Sequence, residues 1–292
     1  MKILISKLPA SGWWSSGIPK YQDNPAMREG ERPNHNKLVK EREKLISILK
    51  KENQTIIEID FPARLDQKNP KHDFIFVRDQ FISNQRNLVL ILRSGERLRR
   101  TENIVMGDVL NKFNYNIINM PDIPGLRADG GEFYFCAKEN ILFSGIQRNT
   151  LSGINYVVEA LKIDELLILD GKGYHLDTFF TPVFNSQNLL CATIVCDEIL
   201  TDKSKRDLYE FSKKRNLPVF KVPLKDSIGD VENIGSFSVN ALPLPGVLIS
   251  PNHFTNKSID RDLSELGIKR VITPTSQFEL SGGSIHCLTN EL

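Results

Sequence analysis

One of the four cysteines stands in surroundings that differ from those of the other three. Cys287 lies near the end of the chain in LSGGSIHCLTNE, shortly after a Gly-Gly pair. Cys136, Cys191 and Cys196 lie in the apolar runs EFYFCAK and NLLCATIVCDE, where a cysteine usually behaves as a small buried hydrophobe. We therefore expect these three thiols to be structural, as is common in a reducing compartment, and Cys287 to be the chemical candidate.

Other residues with chemical potential occur in five short segments, each just ahead of or within an apolar run. The segments are KHDFIFVRDQFIS (71–83), ADGGEFYFCAKEN (128–140), GYHLDTFFTPVFN (173–185), GSFSVNALPLPG (235–246) and FELSGGSIHCLTN (278–290). Their candidate residues are Asp73, Asp79, Asp129, Glu132, His175, Asp177 and Cys287.

Taken singly, each candidate has a structural explanation. An Asp before a strand often caps a turn, and Gly130-Gly131 could serve only a tight bend. A lone histidine such as His175 is more often a hydrogen-bonded structural residue than a catalyst. Their recurrence at one point of a repeating pattern is what favours a functional interpretation.

The elements that must position these residues follow a repeat. Apolar runs begin at Asn87, Asn140, Asn188 and Gly246, so that successive starts lie 53, 48 and 58 residues apart. After each run comes helical periodicity, over 105–114, 154–162, 203–216 and 258–267, and then a second apolar strand (YNIINMP, ELLILDG, PVFKVPL and KRVITPT). Alternation of this kind predicts an α/β protein.

A fifth unit is divided between the chain ends. MKILISKLP and TIIEIDFP read as strands on either side of an amphipathic helix at 36–53. The missing front strand would come from the C-terminal stretch SIHCLTNEL, and in a closed ring this tail must pack beside the N-terminal strand. We found no Pro/Gly/Ser-rich linker, so the sequence predicts one domain over residues 1–292.

Composition excludes several classes of function. The net charge is +2, and the densest basic group is RSGERLRR at 93–100, which is too little to predict a nucleic-acid partner. No apolar run has the length of a signal peptide or a membrane span, so we expect no membrane partner and a cytoplasmic location. No His/Cys/Asp set has ligand spacing, which predicts neither a metal nor another cofactor. The sequence leaves open whether the protein forms a homo-oligomer.

Four motifs in order resemble the guanidino-group-modifying enzymes. They are Phe76-Val77-Arg78-Asp79, Asp129-Gly130-Gly131-Glu132, His175-Leu176-Asp177 and a terminal Gly-Gly-x-x-x-Cys that ends at Cys287. This group includes the arginine deiminases, the dimethylarginine dimethylaminohydrolases and the amidinotransferases. The resemblance covers nearly the whole chain, and it implies the pentein fold, a five-bladed α/β propeller of five ββαβ-type repeats about a pseudo-fivefold axis.

The resemblance implies a nucleophile, a general acid/base and an orienting acid. A guanidinium carbon is a poor electrophile, so its attack requires a potent nucleophile such as the Cys287 thiolate. His175 would protonate the departing amine and then take a proton from the incoming water. Asp129 would orient His175, as the acid ahead of Gly-Gly does in the family.

The resemblance also implies how a planar cation is held. Asp79 and Asp177 would bind the guanidinium through paired hydrogen bonds, the forked geometry in which carboxylates pair with arginine. Phe76 would lie against the face of the cation.

The amino-acid end of the substrate needs a different set of residues. Arg148 matches the family arginine that receives the α-carboxylate, and its structural alternative is a surface residue that caps the following helix. Arg99 or Arg100 resembles a second such arginine on a mobile loop, and the sequence does not choose between them. Asp73 would suit the α-ammonium group.

The substrate class follows from Asp177, since a carboxylate satisfies two unsubstituted N–H groups and methylation removes such donors. Familiar dimethylarginine hydrolases have Lys at this position, although the compact chain resembles them in length. We expect a small guanidino substrate, arginine or a close derivative, that is hydrolysed to citrulline through a thiouronium intermediate. Transfer of the amidino group to an amine, or a second hydrolysis to ornithine, stays open.

A different class of function also stays open. Penteins include a non-catalytic factor that binds the ribosome, so the fold alone does not imply catalysis. A binding protein of this kind would be expected to lack the cysteine, the histidine and the acids, and all of them are present here.

Overall fold

Each apolar run of the repeat forms the middle strand of a small three-stranded sheet. The computed structural model describes residues 1–21, 24–230 and 234–292, and within them the strands form five such sheets. In each sheet the middle strand pairs antiparallel with one neighbour and parallel with the other. A helix makes the crossover between the parallel strands, as a βαβ connection requires.

The first sheet joins the two ends of the chain, through β15 (Asn290–Glu291), β1 (Lys2–Ser6) and β2 (Thr55–Ile59). The second contains β3 (Phe81–Ser83), β4 (Leu88–Ile91) and β5 (Asn116–Asn119), and the third β6 (Phe133–Cys136), β7 (Ile141–Ser144) and β8 (Glu165–Ile168). The fourth contains β9 (Phe180–Phe184), β10 (Leu190–Val195) and β11 (Val219–Lys221), and the fifth β12 (Leu242–Leu244), β13 (Val247–Ser250) and β14 (Lys269–Ile272).

One crossover helix accompanies each sheet. In chain order they are α1 (His35–Lys51), α2 (Arg100–Leu110), α3 (Leu151–Leu161), α4 (Asp202–Arg215) and α5 (Ser258–Glu265). Two shorter helices, α6 (Ser276–Glu279) and α7 (Ile285–Leu288), follow near the C-terminus.

Local sequence explains where these elements begin and end. The side chains of Asn34, Thr150 and Thr201 cap α1, α3 and α4 by accepting backbone N–H groups of the first turn. Asn140, directly before β7, and Asn188, two residues before β10, have φ near +55° and +61°, a left-handed conformation that Asn tolerates in tight turns.

Two elements differ from their predicted bounds. Helix α2 begins at Arg100, several residues before the predicted start at 105, so Arg99 and Arg100 lie at a helix N-terminus rather than in an open loop. The stretch SIHCLTNEL was expected to be a strand, but Ile285–Leu288 is helical and only Asn290–Glu291 pairs with β1. The strand prediction was therefore wrong for Cys287. A single helical turn is enough to bury its apolar neighbours, so an extended strand is not needed there.

The chain divides into two compact units by its internal contacts. Unit 1 comprises residues 1–131, 148–162 and 275–292, and unit 2 comprises residues 132–147 and 163–274. The core of unit 1 includes Leu4, Phe74, Phe81, Met106 and Leu292. The core of unit 2 includes Phe143, Phe179, Phe180, Leu208 and Leu248. The prediction of one domain over residues 1–292 stays a prediction.

Several of the chemically suggestive residues lie on one-turn 3₁₀ helices that lead into the first strand of a sheet. These turns are His72–Ile75, Val77–Gln80, Gly130–Glu132 and Leu176–Thr178. Within the described residues, no helix is long and apolar enough to cross a bilayer.

Candidate active site

The C-terminal tail is locked into unit 1. Arg78 donates from Nη1 and Nη2 to the Glu291 carboxylate at 2.6 and 3.0 Å, and from Nε to the carbonyl oxygen of His286 at 3.3 Å. The Asn290 amide donates to the carbonyl oxygens of residues 77, 78 and 81. These bonds fasten α7, which carries the buried Cys287, to the turn that carries Asp79.

The Gly-Gly pair makes room for an aromatic ring. A methyl group on Gly283 would lie 2.4 Å from a ring carbon of Phe76, so only glycine leaves the ring where it is. The buried Phe76 ring also meets Trp13 edge to face, with centroids 6.0 Å apart. Phe76 is thus held between the N-terminal segment and the loop that precedes Cys287.

The side chain of Asp73 is buried and is surrounded by hydrogen-bond donors. Its carboxylate accepts from Ser281 Oγ at 3.0 Å and from Trp14 Nε1 at 3.3 Å, and the Tyr21 hydroxyl also donates to it. Burial raises the pKa of Asp73, although the nearby Arg99 guanidinium opposes this shift. The Asp73 carboxylate is therefore held by hydrogen bonds within unit 1.

Asp79 already holds a guanidinium group. Its Oδ1 accepts from the backbone N–H of Gly131 at 3.2 Å, while Oδ2 accepts from Nη1 of Arg99. Arg99 also donates from Nη2 to the carbonyl oxygen of Asp73 at 3.0 Å and from Nε to Glu102 at 3.0 Å. All four side chains are buried, so these charge-assisted bonds lie away from solvent.

Asp129 and Arg148 lie beside the loop that leads to Arg99. The N–H of Gly95 donates to Oδ2 of Asp129 at 3.3 Å, and Asp129 donates its own N–H to the Asn149 side chain at 2.8 Å. A Cβ atom on Gly95 would lie 3.0 Å from the carbonyl oxygen of Arg148. Arg148 is buried, which argues against the surface-capping alternative for this residue.

Arg100 is placed differently from its neighbour Arg99. It is half-buried, and its Nε donates to the carbonyl oxygen of Ser94 at 3.1 Å. It lines a cleft of about 370 Å³ between α2 and the ends of β4 and β5. Arg99 and Arg100 therefore lie in different surroundings, and it is the Arg99 side chain that bonds to Asp79.

In unit 2, His175 and Asp177 lie on one short turn. The backbone N–H of Leu176, between them, donates to Oε2 of Glu132 at 2.8 Å. The Asp177 carbonyl oxygen accepts from the Asn240 amide at 3.1 Å. His175 and Asp177 are both buried, so Glu132 and Asn240 fix the backbone from which their side chains project.

The structure thus assigns the predicted residues to two groups. Unit 1 holds Cys287, Asp129, Asp79, Phe76, Asp73, Arg148, Arg99 and Arg100, and unit 2 holds His175 and Asp177. The functional roles of these residues stay predictions.

Two supporting acids, Glu102 and Glu132, had no role assigned from the sequence. Glu102 was not singled out, although it lies three residues after Arg99, the i,i+3 spacing at which charged side chains meet on a helical turn. Glu132 was noted without a role, and its contact with Leu176 depends on tertiary packing that no local pattern reveals.

The other three cysteines lie in or beside strands of unit 2. Burial raises the pKa of Cys191 and of Cys196 to about 11, and it raises that of Cys136 as well. A high pKa keeps a thiol protonated and unreactive at neutral pH, which agrees with structural roles. Among the described residues, no group of three His, Cys, Asp or Glu side chains could hold a metal ion.

Solved structures decide the fold. The N-terminal domain of ArgZ, an arginine dihydrolase from the Ornithine-Ammonia Cycle in Cyanobacteria, superposes with a TM-score of 0.78 at 20% identity, covering 99% of this chain and 96% of that chain. The chain has the pentein fold. The predicted α/β pentein architecture is therefore confirmed.

Two further pentein structures are also similar to this chain. DDAH from Pseudomonas aeruginosa, solved as a mutant with citrulline, has a TM-score of 0.73 at 15% identity and covers 100% of this chain and 98% of its own. AgrE, solved with ornithine and NAD+, has a TM-score of 0.79 at 20% identity, and the match spans 39% of its chain. No protein-family model and no curated protein matched the sequence.

Proposed function

We propose that this pentein is a cysteine-dependent hydrolase that cleaves a guanidinium C–N bond of arginine or a close derivative. One observation carries the proposal. A buried carboxylate, Asp79, holds a guanidinium group, and its turn contacts the helix that carries Cys287. A site that can bind this cation next to a nucleophile has the two components that the chemistry requires.

In the first half of the reaction, the Cys287 thiolate attacks the guanidinium carbon and forms a C–S bond. The C–N bond to the leaving group then breaks, and His175 supplies the proton with which ammonia or an amine departs. The product of this half-reaction is a thiouronium intermediate on Cys287. Asp79 and Asp177 hold the remaining N–H groups of the cation.

In the second half, water replaces the sulfur. His175, now neutral, accepts a proton from the water as its oxygen bonds to the thiouronium carbon. The C–S bond breaks, the thiolate is restored, and a ureido group remains on the product. For arginine the balance is arginine plus water to citrulline plus ammonia.

Relatives support this class of reaction. ArgZ has been solved covalently bonded to a reaction intermediate and, as a cysteine-to-serine mutant, with its substrate. DDAH was likewise solved as a cysteine-to-serine mutant, with citrulline. These neighbours share the fold of this chain at 15–20% identity, so their chemistry supports the proposal at the level of guanidino hydrolysis.

A second candidate product is ornithine. ArgZ is described as an arginine dihydrolase, and the match covers 96% of its N-terminal domain. Two successive hydrolyses would convert arginine and two waters to ornithine, two molecules of ammonia and carbon dioxide. The carboxylate at Asp177 fits a substrate whose terminal nitrogens carry no methyl groups.

The proposal is tested by incubating the purified protein with arginine, methylated arginines and agmatine separately and identifying the products by mass spectrometry. We expect citrulline or ornithine from arginine with the wild type, and no product with Cys287→Ser. Circular dichroism of Cys287→Ser should match that of the wild type, since the change is nearly isosteric.

Two outcomes would contradict the proposal. Equal turnover by Cys287→Ser would exclude Cys287 as the nucleophile. No turnover of any guanidine, together with no thiouronium mass on Cys287, would exclude hydrolysis and leave an amine acceptor or a binding role to be tested.

A further inference from the structure

A cleft in unit 1 lies between helix α2 and the carboxyl ends of strands β4 and β5. Its volume is about 370 Å³, which is within the range of small-molecule sites. Among the described residues predicted for the active site, only Arg100 lines it. Strands β4 and β5 are parallel, and ligands of α/β proteins commonly bind beyond the carboxyl ends of such strands. The position and the size of this cleft therefore suit a small ligand.

Helix α2 presents different faces to the core and to the cleft. Met106 and Leu110 belong to the core of unit 1. Arg100, Ile104 and Asn111 line the cleft, at the four- and seven-residue spacing of one helical face. With a rise of about 1.5 Å per residue, this face is roughly 16 Å long. Ile104 is 66% exposed, so its apolar side chain is open to a ligand.

The cleft carries an excess of positive charge near the start of α2. Burial lowers the pKa of Arg100, and so does repulsion by three neighbouring guanidinium groups, those of Arg93, Arg97 and Arg127. Asp122 opposes this shift, but it already pairs with Arg93. Among the described residues, no carboxylate pairs with Arg97, Arg100 or Arg127. An anion would therefore be attracted to this end of the cleft.

Polar groups without net charge lie toward the other end of the cleft. Asp108 is paired with Arg64, so that its charge is balanced. The exposed side-chain amides of Asn111 and Asn119 also line the cleft, and an amide both donates and accepts hydrogen bonds. An uncharged group with donors and acceptors is therefore suited to this end.

Gly107 leaves space in the wall of the cleft. Glycine inside a helix is less favourable than alanine, because it loses more backbone entropy on folding. A Cβ atom at Gly107 would make only ordinary contacts, the nearest being 3.4 Å from Oδ1 of Asn119 and 3.7 Å from a side-chain carbon of Ile91. Packing inside the protein therefore does not require glycine here, whereas an occupant of the cleft gains the space that a side chain would fill.

We propose that this cleft binds a small phosphomonoester that carries a heterocyclic ring, with a nucleoside monophosphate as the type. The phosphate lies at the arginine end, because a dianion balances more of the unpaired guanidinium charge than a carboxylate does. The ring packs on the apolar side chains of Ile104 and Met120, and its polar edge meets the amides of Asn111 and Asn119.

Arg100 thereby belongs to this second site, whereas Arg99 stays on Asp79. The cleft can bind its ligand whether or not the proposed hydrolysis occurs, because Asp79, His175 and Cys287 take no part in it. A nucleoside monophosphate and arginine are therefore expected to bind at the same time.

The experiment measures the binding of AMP to the full chain by isothermal titration calorimetry. Adenosine and inorganic phosphate, titrated separately, represent the two halves of the ligand. The test variants are Arg100→Gln, which removes one charge, and Gly107→Leu, which fills the cleft. Arg86→Gln is the matched control, because Arg86 is exposed in the turn before β4, at the opposite end of this strand from the cleft. Arg100 is only half-buried, so Arg100→Gln is expected to fold even if Gly107→Leu does not.

We expect AMP to bind the wild type about tenfold more tightly than either adenosine or inorganic phosphate, because only AMP occupies both ends of the cleft. Arg100→Gln should weaken AMP binding by about tenfold through the loss of a charge-assisted contact. Gly107→Leu should weaken it at least as much, and Arg86→Gln should leave it unchanged. In the Cys287→Ser protein, saturating arginine should leave the affinity for AMP unchanged.

Several results would overturn the inference. An Arg100→Gln protein with the AMP affinity of the wild type would exclude the arginine end, and adenosine or phosphate binding as tightly as AMP would exclude a ligand that needs both ends. Displacement of AMP by arginine would place AMP in the active site instead, and no binding of AMP would exclude the site. If arginine fails to bind Cys287→Ser while AMP still binds as expected, the proposed function is contradicted and the cleft remains a ligand site.

Discussion

At the residue scale, Glu102 shows how burial controls charge in unit 1. Its Oε2 accepts from Arg99 Nε and, at 3.3 Å, from the Gln80 amide, and Glu102 is fully buried. Burial raises its pKa to about 8, with the neighbouring Asp73 adding to this shift and Arg99 opposing it. Glu102 therefore keeps its proton to a higher pH than most glutamates do.

This pKa gives a stability prediction with a definite sign. Between the ordinary value of 4.5 and about 8, the folded protein keeps a proton on Glu102 that the unfolded chain has lost. The free energy of unfolding must then fall as the pH rises through this window, by up to about 1.4 kcal/mol per pH unit. Glu102→Gln removes this titration. The melting temperature of this variant, relative to that of the wild type at the same pH, should therefore increase from pH 5 to pH 9.

The control for this measurement is Glu43→Gln, which changes an exposed glutamate in helix α1. Its melting temperature should follow that of the wild type at every pH. A difference for Glu102→Gln that stays constant or decreases with pH would contradict a protonated Glu102.

A second prediction concerns the contact between Gly283 and Phe76. Gly283→Ala would place a methyl group 2.4 Å from the Phe76 ring and so displace it from its position. If Phe76 lies on the substrate cation, the KM for arginine should rise about tenfold, which corresponds to a loss of about 1.4 kcal/mol. Steady-state kinetics with arginine measures this change.

Gly107→Ala is the matched control for this change. Its added Cβ atom would make only ordinary contacts in helix α2, the nearest at 3.4 Å, and alanine favours helix formation. We expect Gly107→Ala to leave KM unchanged. An unchanged KM for Gly283→Ala as well would argue that Phe76 does not contact the substrate.

At the element scale, the C-terminal tail is a structural part of unit 1. The side-chain amide of Asn290 donates to three carbonyl oxygens around the 77–80 turn, and strand β15 pairs with β1. Asn290→Ala removes one buried donor from each of these three carbonyl oxygens, which should lower the free energy of unfolding by about 2 kcal/mol. Urea denaturation measures this loss.

Asn116→Ala serves as the control for this prediction, since Asn116 is an exposed residue of strand β5. It should change stability by less than about 0.5 kcal/mol. If Asn290→Ala were equally mild, the tail would not be the fastening element that its hydrogen bonds indicate.

Elements were predictable where their signals are local. The runs after Asn140 and Asn188 became middle strands because a left-handed turn residue precedes β-branched and leucine residues. Around Cys287 the local pattern is ambiguous, since a stretch as short as Ile285–Leu288 fits a strand or one helical turn equally well. There the hydrogen bonds between the tail and residues 77–81 select the helix. The partners in these bonds are more than two hundred residues apart in sequence.

At the scale of the whole molecule, the path of the chain predicts cooperative unfolding. Helix α3 belongs to unit 1, yet it connects β7 to β8, which pair in unit 2. Each unit is therefore built from separate segments of the chain rather than from one continuous piece. We predict that urea unfolding followed by circular dichroism and by tryptophan fluorescence gives coincident transitions.

The fluorescence signal makes this test informative. Both tryptophans, Trp13 and Trp14, lie in unit 1, whereas circular dichroism reports the strands and helices of both units. Transitions at different urea concentrations would show that the units unfold separately and would contradict the prediction of one domain over residues 1–292.

The sequence by itself determined most of the elements, their α/β alternation and the order of the motifs, because periodicity, capping and turn residues act over a few positions. Only the tertiary structure decided which charges meet. Arg99 lies on Asp79, twenty residues away, and Asp73 lies against Ser281, because packing rather than spacing brings them together. Burial in turn sets the protonation of Glu102, since it depends on all the groups that exclude water from that carboxyl.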